Sequence, residues 1–250
     1  MRLNDRVAVI TGAASGIGRA TALALAAEGA RVVVADQNEA GGREVVEQVQ
    51  AAGGAADFFP VDVTDYRQVV AAVDFAVERW GTLDIMFNNA GVAVFKPLLE
   101  HEPEDFDRVV KVNQYGVYHG ILAAARKMRE LGVRGTIVNT ASVYAFLAAP
   151  GLIGYHAAKG AVKMMTQSAA LDLARYGIRV IAIAPGVVDT PIIQGYRDAD
   201  MLDAMARKHL RRKLLAPEQI AGVVVLLVSD AAAAINGSVV MVDDGYAEFK

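Results

Sequence analysis

Cysteine is absent from the 250 residues. That excludes disulfides, thiolate metal sites and cysteine nucleophiles. It also fits a reducing cytosol without requiring one, so a cytoplasmic protein is the expectation. A basic excess is missing too: 25 Lys and Arg stand against 28 Asp and Glu, with both signs spread along the chain. Nothing in that pattern resembles the footprint of a nucleic-acid binder, and no nucleic-acid partner is expected. No run reaches the roughly 18–20 unbroken apolar residues of a membrane helix. The nearest, 220–228, is short and is followed by Ser229 and Asp230. Arg2 and Arg6 precede an alanine-rich stretch that imitates a signal peptide. However, Thr11, Gly12, Ser15, Gly16, Gly18 and Arg19 break the apolar run early, and a strand entering a glycine turn explains it better.

What is abundant is apolar surface. Hydrophobic residues make up 54% of the chain, above the usual share of about 45–50%, so a large core is expected. Short apolar, β-branched runs at 7–11, 31–36, 56–61, 83–88, 135–140, 179–184 and 238–242 lack clean alternation, as strands buried on both faces do. Helical patterns fill the intervals at 16–28, 39–52, 66–80, 106–131, 155–176 and 217–229. This β-α alternation predicts an α/β fold with one doubly wound parallel sheet of about seven strands and helices on both faces. No linker or repeat divides the chain, so residues 1–250 read as a single domain. The segment 189–215 has no strand and carries an amphipathic pattern around 201–212; such segments are often lids.

The first strand runs into Thr11-Gly12-Ala13-Ala14-Ser15-Gly16-Ile17-Gly18. Glycines there let the backbone approach a pyrophosphate, and the following helix aims its first N–H groups at the phosphates. The spacing is G-x-x-x-G-x-G, so an ordinary structural turn stays open as an alternative. Asp36 ends the second strand, 18 residues after Gly18. A carboxylate there can accept both ribose hydroxyls of an adenosine and repel a 2′-phosphate; the bland alternative is a turn-forming Asp before Gln37-Asn38. Neither the glycine turn nor Gln37 offers a basic side chain for a 2′-phosphate, which favours NAD over NADP. Asp62-Val63 and Asn88-Asn89-Ala90-Gly91 follow the third and fourth strands, on the rim where doubly wound sheets bind ligands.

Ser142 lies just past the fifth strand, and 13 residues later comes Tyr155-His156-Ala157-Ala158-Lys159. Positions i and i+4 share a helix face, so Tyr155 and Lys159 point the same way. A nearby ammonium is expected to lower the tyrosine pKa and make Tyr155 a general acid or base.

Together, Thr11–Gly18, Asp62, Asn88–Gly91, Asn113, Ser142, Tyr155, Lys159 and Pro185-Gly186 resemble the short-chain dehydrogenase/reductase family, in its short single-domain branch. The resemblance spans about residues 5–246 and implies a Rossmann-like fold. It implies Tyr155 as proton donor and acceptor, with Lys159 lowering its pKa and holding the nicotinamide ribose. It implies Ser142 on the substrate oxygen and Asn113 supporting a proton-relay water. Asn89, Ala90 and Gly91 would pack under the adenosine half, while Val188 and Thr190 would anchor the carboxamide. Asp243-Asp244-Gly245 stands where the family often has Asp-Gly-Gly, which puts the C-terminal turn in doubt.

On the family's pattern the substrate meets Val94, Phe95, Tyr144, Phe146, Leu147 and Leu152, with Ile192, Ile193, Met201, Leu202 and Met205 from the lid. Nearly all are apolar, so a small to medium, mostly apolar secondary alcohol or ketone is expected. Arg197 is the nearest cation that could swing in. His101-Glu102-Pro103-Glu104-Asp105 reads as a helix start rather than a metal site; no metal is expected. His156 reads as structural, and 207–213 as the wet face of a lid helix, with docking of an acidic carrier as the alternative. The leading expectation is an NAD-dependent alcohol dehydrogenase or ketone reductase. A 3-oxoacyl-thioester reductase and a non-catalytic NAD(H)-sensing protein are the alternatives. The long, apolar helices at 106–131 and 155–176, and a chain end reaching Phe249, suggest two interfaces and a homotetramer.

Overall fold

The computed structural model describes residues 3–248. Arg2 and the Phe249 end of the second suggested interface lie outside them.

Seven strands form one all-parallel sheet: β1 (Val7–Thr11), β2 (Arg31–Asp36), β3 (Ala55–Pro60), β4 (Ile85–Asn88), β5 (Thr136–Thr140), β6 (Arg179–Pro185) and β7 (Val239–Val242), in the order β3-β2-β1-β4-β5-β6-β7. The strand order reverses between β1 and β4, the place where such sheets open a crevice beyond their carboxyl ends. The lack of sequence alternation now has its reason. Ala8 and Ile10 feed one core with Val32, Val34 and Phe87, while Val7 and Val9 feed the other with Val33, Met86 and Ile137. The central strands β1, β4 and β5 are buried on both faces, whereas the edge strands β3 and β7 are half-buried.

Helices α1 (Gly16–Ala27), α2 (Glu39–Ala51) and α9 (Pro217–Val228) cover the first face through Ala22, Leu25, Val45, Val49, Ile220 and Val224. Helices α3 (Tyr66–Trp80), α5 (Gly116–Leu131) and α6 (Ile153–Leu173) cover the second through Val69, Val73, Val117, Ile121 and Val162.

Two expectations change. The helix read at 106–131 begins earlier, with Pro103 in its first turn as α4 (Pro103–Val110), and it is interrupted by a π-helical turn, Lys111–Tyr115, before α5. Asn113 sits in that turn. The segment 189–215, read as a lid, does not form one amphipathic helix over 201–212. It contains α7 (Gln194–Asp198) and α8 (Leu202–Ala206), then turns. The helix stops because His209 is drawn inside, 2% exposed, where its Nε2 accepts a bond from the Val187 amide at 3.2 Å. Arg212 then takes the left-handed conformation. The basic residues of 207–213 other than His209 do face solvent.

The turn put in doubt by Asp244 is intact. Asp244 adopts a φ of 49° where glycine would be unstrained. Its carboxylate accepts from the Arg211 amide and Nε, and its carbonyl accepts from the Leu210 amide. Among the described residues no helix is long and apolar enough to cross a membrane, and no cluster of His, Asp and Glu could hold a metal ion.

Candidate active site

A cleft of about 510 Å³ opens beyond the carboxyl ends of the strands, on the switch between β1 and β4. Its first wall is the β1–α1 turn, and two glycines there are required by close approach. Gly12 has a φ of 65°, and a Cβ on it would stand 2.7 Å from the Ala90 Cα. A Cβ on Gly18 would collide with the Gly12 carbonyl. The Asn88–Gly91 segment is clamped beneath this turn. Asn89 donates from Nδ2 to the carbonyls of Thr11 (3.1 Å) and Gly12 (3.2 Å), and Thr11 Oγ1 accepts from the amides of Asn89 and Ala90. Ser15 caps α1 without a side-chain bond to the helix, so the helix N-terminus faces the cleft with its positive dipole end uncommitted.

Asp36 lines the same wall. Its Oδ2 accepts from the Ala14 amide and its Oδ1 from the Asn38 amide, both at 2.9 Å. The second bond is the turn contact that the bland reading expected. Gly12, Ser15, Gly16, Ile17, Asp62, Val63, Asn89, Ala90, Gly91, Pro185, Gly186, Val188 and Thr190 all line the cleft, and Gly18 stands behind them. The donor set suits an extended dinucleotide: uncommitted amides at a helix end, backbone made accessible by glycine, and a carboxylate one strand away.

The far end holds the three candidate catalytic side chains, Ser142, Tyr155 and Lys159. Ser142 follows β5, and its Oγ accepts from the Tyr144 amide at 3.1 Å. Tyr155 and Lys159 rise one turn apart on α6. The Lys159 Nζ donates to the Thr140 carbonyl at 2.6 Å and lies 5.5 Å from the Tyr155 ring centre. Asn113 is fully buried behind the wall. Its side chain pairs with both backbone groups of Val92 at 2.8 Å, so it holds the loop after β4.

The electrostatics reverse one expectation. Tyr155 is pushed up to about 12, chiefly by burial; hydrogen bonding from Ser142 pulls it down and the neighbouring Tyr144 raises it. Lys159 falls to about 8 because burial disfavours its charge. Desolvation dominates both groups, disfavouring the phenolate of Tyr155 and the ammonium of Lys159.

Phe95, Tyr144, Leu152, Ile192 and Ile193 line the substrate end. Leu147, Met201 and Met205 do not. Met205 is buried in the cluster beneath the lid, Leu147 packs against that cluster, and Met201 is exposed at the surface. Arg197 does not swing in, because it pairs with Asp189; Arg108 lines the cleft instead. His156 is structural, accepting from the Ala149 amide at 3.0 Å. Sequence reasoning missed Tyr196, which lines the cleft, and Tyr246, fully buried behind it. Their hydroxyls stand 2.8 Å and 3.1 Å from that of Tyr144.

Comparison with known proteins agrees with this geometry. The family profile described as enoyl-(acyl carrier protein) reductase matches residues 12–247. The cyclopentanol dehydrogenase of Comamonas sp. (strain NCIMB 9872) is 38% identical over 246 residues, covering 98% of each chain. The L-2,3-butanediol dehydrogenase of Corynebacterium glutamicum is 39% identical, covering 96% of this chain and 98% of its own. A solved short-chain type dehydrogenase/reductase from Mycobacterium marinum superposes with a TM-score of 0.94 at 33% identity, covering 98% of this chain and 96% of its own. With the glycine turn, Ser142, Tyr155 and Lys159 around one cleft, the chain is a member of the short-chain dehydrogenase/reductase family.

Proposed function

We propose that this protein is an NAD-dependent dehydrogenase, or ketone reductase in reverse, for a small to medium secondary alcohol with a mostly apolar carbon frame. The observation that carries the reading is the pairing of two ends in one cleft. Asp36 is held ready by two amides at one end, and Ser142, Tyr155 and Lys159 converge among apolar walls at the other. The similarity to alcohol dehydrogenases supports the substrate class.

The amides around Gly12, Ser15, Gly16 and Ile17 would receive the pyrophosphate, and Asp36 the adenosine ribose hydroxyls. Asp62 and Val63 would flank the adenine, Asn89 to Gly91 would support it, and Lys159 would hold the second ribose. Pro185, Gly186, Val188 and Thr190 would hold the carboxamide. Bound there, the nicotinamide supplies the acceptor or donor of hydride.

The substrate oxygen sits between the hydroxyls of Ser142 and Tyr155. Ser142 donates to it and fixes its position. In oxidation Tyr155 takes the hydroxyl proton as the carbonyl forms; in reduction it returns one. A phenol near 12 is a reluctant base at neutral pH. Positive charge brought within about 6 Å favours the phenolate, and the Lys159 ammonium on the same face is placed to provide it. Val92, pinned by Asn113, and Phe95, Tyr144 and Ile192 wall off the reacting carbon from water.

A 3-oxoacyl-thioester reductase of the same family is the second reading, favoured by 36% identity to the 3-oxoacyl-(acyl-carrier-protein) reductase of Thermotoga maritima. Asp36 counts against the NADPH that such an enzyme would be expected to use. The deciding experiment assays cyclic and linear secondary alcohols against 3-oxoacyl thioesters at 340 nm. A higher kcat/KM for the thioesters would reverse the order of the two readings.

We also propose a cytoplasmic homotetramer with its lid near 189–215. Tyr118 on α5 and Met164 and Leu171 on α6 leave an apolar helical face exposed, which an isologous contact would cover. Light scattering that finds a monomer at micromolar concentration would refute it.

A further inference from the structure

We propose that the hydroxyls of Tyr144 and Tyr196 form a second polar subsite, which takes a neutral hydroxyl or carbonyl oxygen at the far end of the substrate. The proposal deepens the function above and rests on it.

Three phenols from distant segments meet at this end of the cleft. Tyr144 follows Ser142 by two residues and is tied to it through its amide. Its ring stands edge-on to Tyr155, with centroids 6.3 Å apart. Its hydroxyl lies 2.8 Å from that of Tyr196, on α7, and 3.1 Å from that of Tyr246. Tyr196 is held edge-on to Phe95 at 4.7 Å. Tyr144 and Tyr196 line the cleft, whereas Tyr246 is buried behind them against His209.

Two observations point to a ligand. The first is position. Tyr144 and Tyr196 line the same cleft as Tyr155, and the Tyr144 ring stands edge-on to that of Tyr155. The second is hydrogen-bond capacity. Each phenol carries one proton and can accept as well. Tyr144 has one proton for two neighbours, so it donates to at most one and accepts from the other. When it donates to Tyr196, the Tyr196 proton is directed onward, and Tyr196 is on the cleft wall. Two phenols on one cleft wall can offer a ligand a hydrogen bond that phenylalanine in their place could not.

The chemistry of the occupant follows. Burial pushes Tyr196 well above the usual tyrosine range, so it remains a neutral donor and acceptor. A carboxylate here would add negative charge next to Tyr155, whose phenolate Tyr144 already disfavours. Arg197 is committed to Asp189, and Arg108, which also lines the cleft, is exposed to solvent. A neutral oxygen fits, either a carbonyl accepting from Tyr196 or a hydroxyl exchanging bonds with the pair. The favoured substrate is therefore an apolar frame with an oxygen at each end.

The test uses the wild-type enzyme with NADH and cyclohexanones bearing a hydroxyl at C2, C3 or C4, each against its methyl counterpart. The proposal expects the best hydroxy ketone to exceed its methyl partner by roughly tenfold or more in kcat/KM. Tyr196→Phe should reduce that ratio at least fivefold while still quenching NADH fluorescence, which shows a folded cleft. Tyr144→Phe, which removes the central hydroxyl, should reduce it too. Turnover of both series with a wild-type ratio near or below one overturns the subsite and leaves the function standing. So does an unchanged ratio in a Tyr196→Phe protein that binds NADH. No turnover of either series, with either cofactor, removes the function and the subsite together.

Discussion

Lys159 is costly to the fold, and the cost can be measured. It is 2% exposed, and burial lowers its pKa from 10.5 to about 8. A tenfold change in proton affinity is about 1.4 kcal/mol, so at neutral pH the buried ammonium destabilises the native state by about 3 kcal/mol. The sign follows from which state binds the proton more tightly. Because the folded pKa is the lower one, the cost is fully present below about pH 8. It fades as pH rises toward 10.5, where the unfolded chain also loses the proton. Lys159→Met removes the charge but keeps the apolar stem. Relative to this variant, the wild-type protein should gain about 2.5 kcal/mol between roughly pH 7 and pH 10. At roughly 2–4 °C per kcal/mol for a domain of this size, the difference in melting temperature should move by about 5–10 °C. The assay is a pair of cofactor-free melts at the two pH values. Tyr155 titrates in both proteins and cancels from the difference. A difference that is the same at both pH values would refute the desolvation argument, and Lys159 would then be charged at little cost.

Tyr155→Phe should lower kcat by about 10²–10⁴ and leave NADH affinity within about twofold, because the hydroxyl contributes the proton rather than the cofactor fold; stopped-flow reduction and fluorescence titration read the two effects separately. Gly12→Ala forces a side chain into a φ of 65° and against the Ala90 backbone, so NADH affinity should fall on the order of tenfold or more and stability by about 1–3 kcal/mol. Arg179 donates to the carbonyls of Leu227, Ser229, Ala232 and Ile235, closing the end of α9 onto β6. Arg179→Ala should cost roughly 3 kcal/mol, and an unchanged urea midpoint would show that solvent satisfies those carbonyls equally well.

The sheet is legible in the sequence because its signals are local. Each strand is a dense apolar run ended by a glycine or polar rim, and each crossover helix repeats its own period. The wall proposed for the cofactor is legible for the same reason: Gly12 and Asp36 sit at strand ends whose order dictates where they meet, and Gly18 follows in the first turn of α1. The substrate end is harder to read. Tyr144, Tyr196 and Tyr246 are separated by 52 and 102 residues, and only the folded lid brings them together. No local pattern marks a hydroxyl trio, so a wall read as nearly all apolar carries one further phenol, Tyr196, with Tyr246 buried behind it. The lid departs from its pattern because periodicity in 201–212 looks helical, while His209 finds a better partner in the Val187 amide. The π-helical turn holding Asn113 has no compositional signature, and the partner of that side chain, the backbone of Val92, lies 21 residues away in the chain. That burial raises the Tyr155 pKa is unreadable from spacing, which reports which groups are near and not how dry they are.

The central claim is hydride transfer with a cofactor chosen by Asp36. Its most direct test is kcat/KM for NAD⁺ and NADP⁺ with one good secondary alcohol, in the wild-type protein and in Asp36→Ala combined with Gln37→Arg. The Asp36 carboxylate, fixed by the amides of Ala14 and Asn38, should repel a 2′-phosphate by several kcal/mol, so NAD⁺ should lead by about 100-fold or more. The double variant should close or invert that gap. A wild-type enzyme that uses NADP⁺ as well as NAD⁺, or better, would contradict the account.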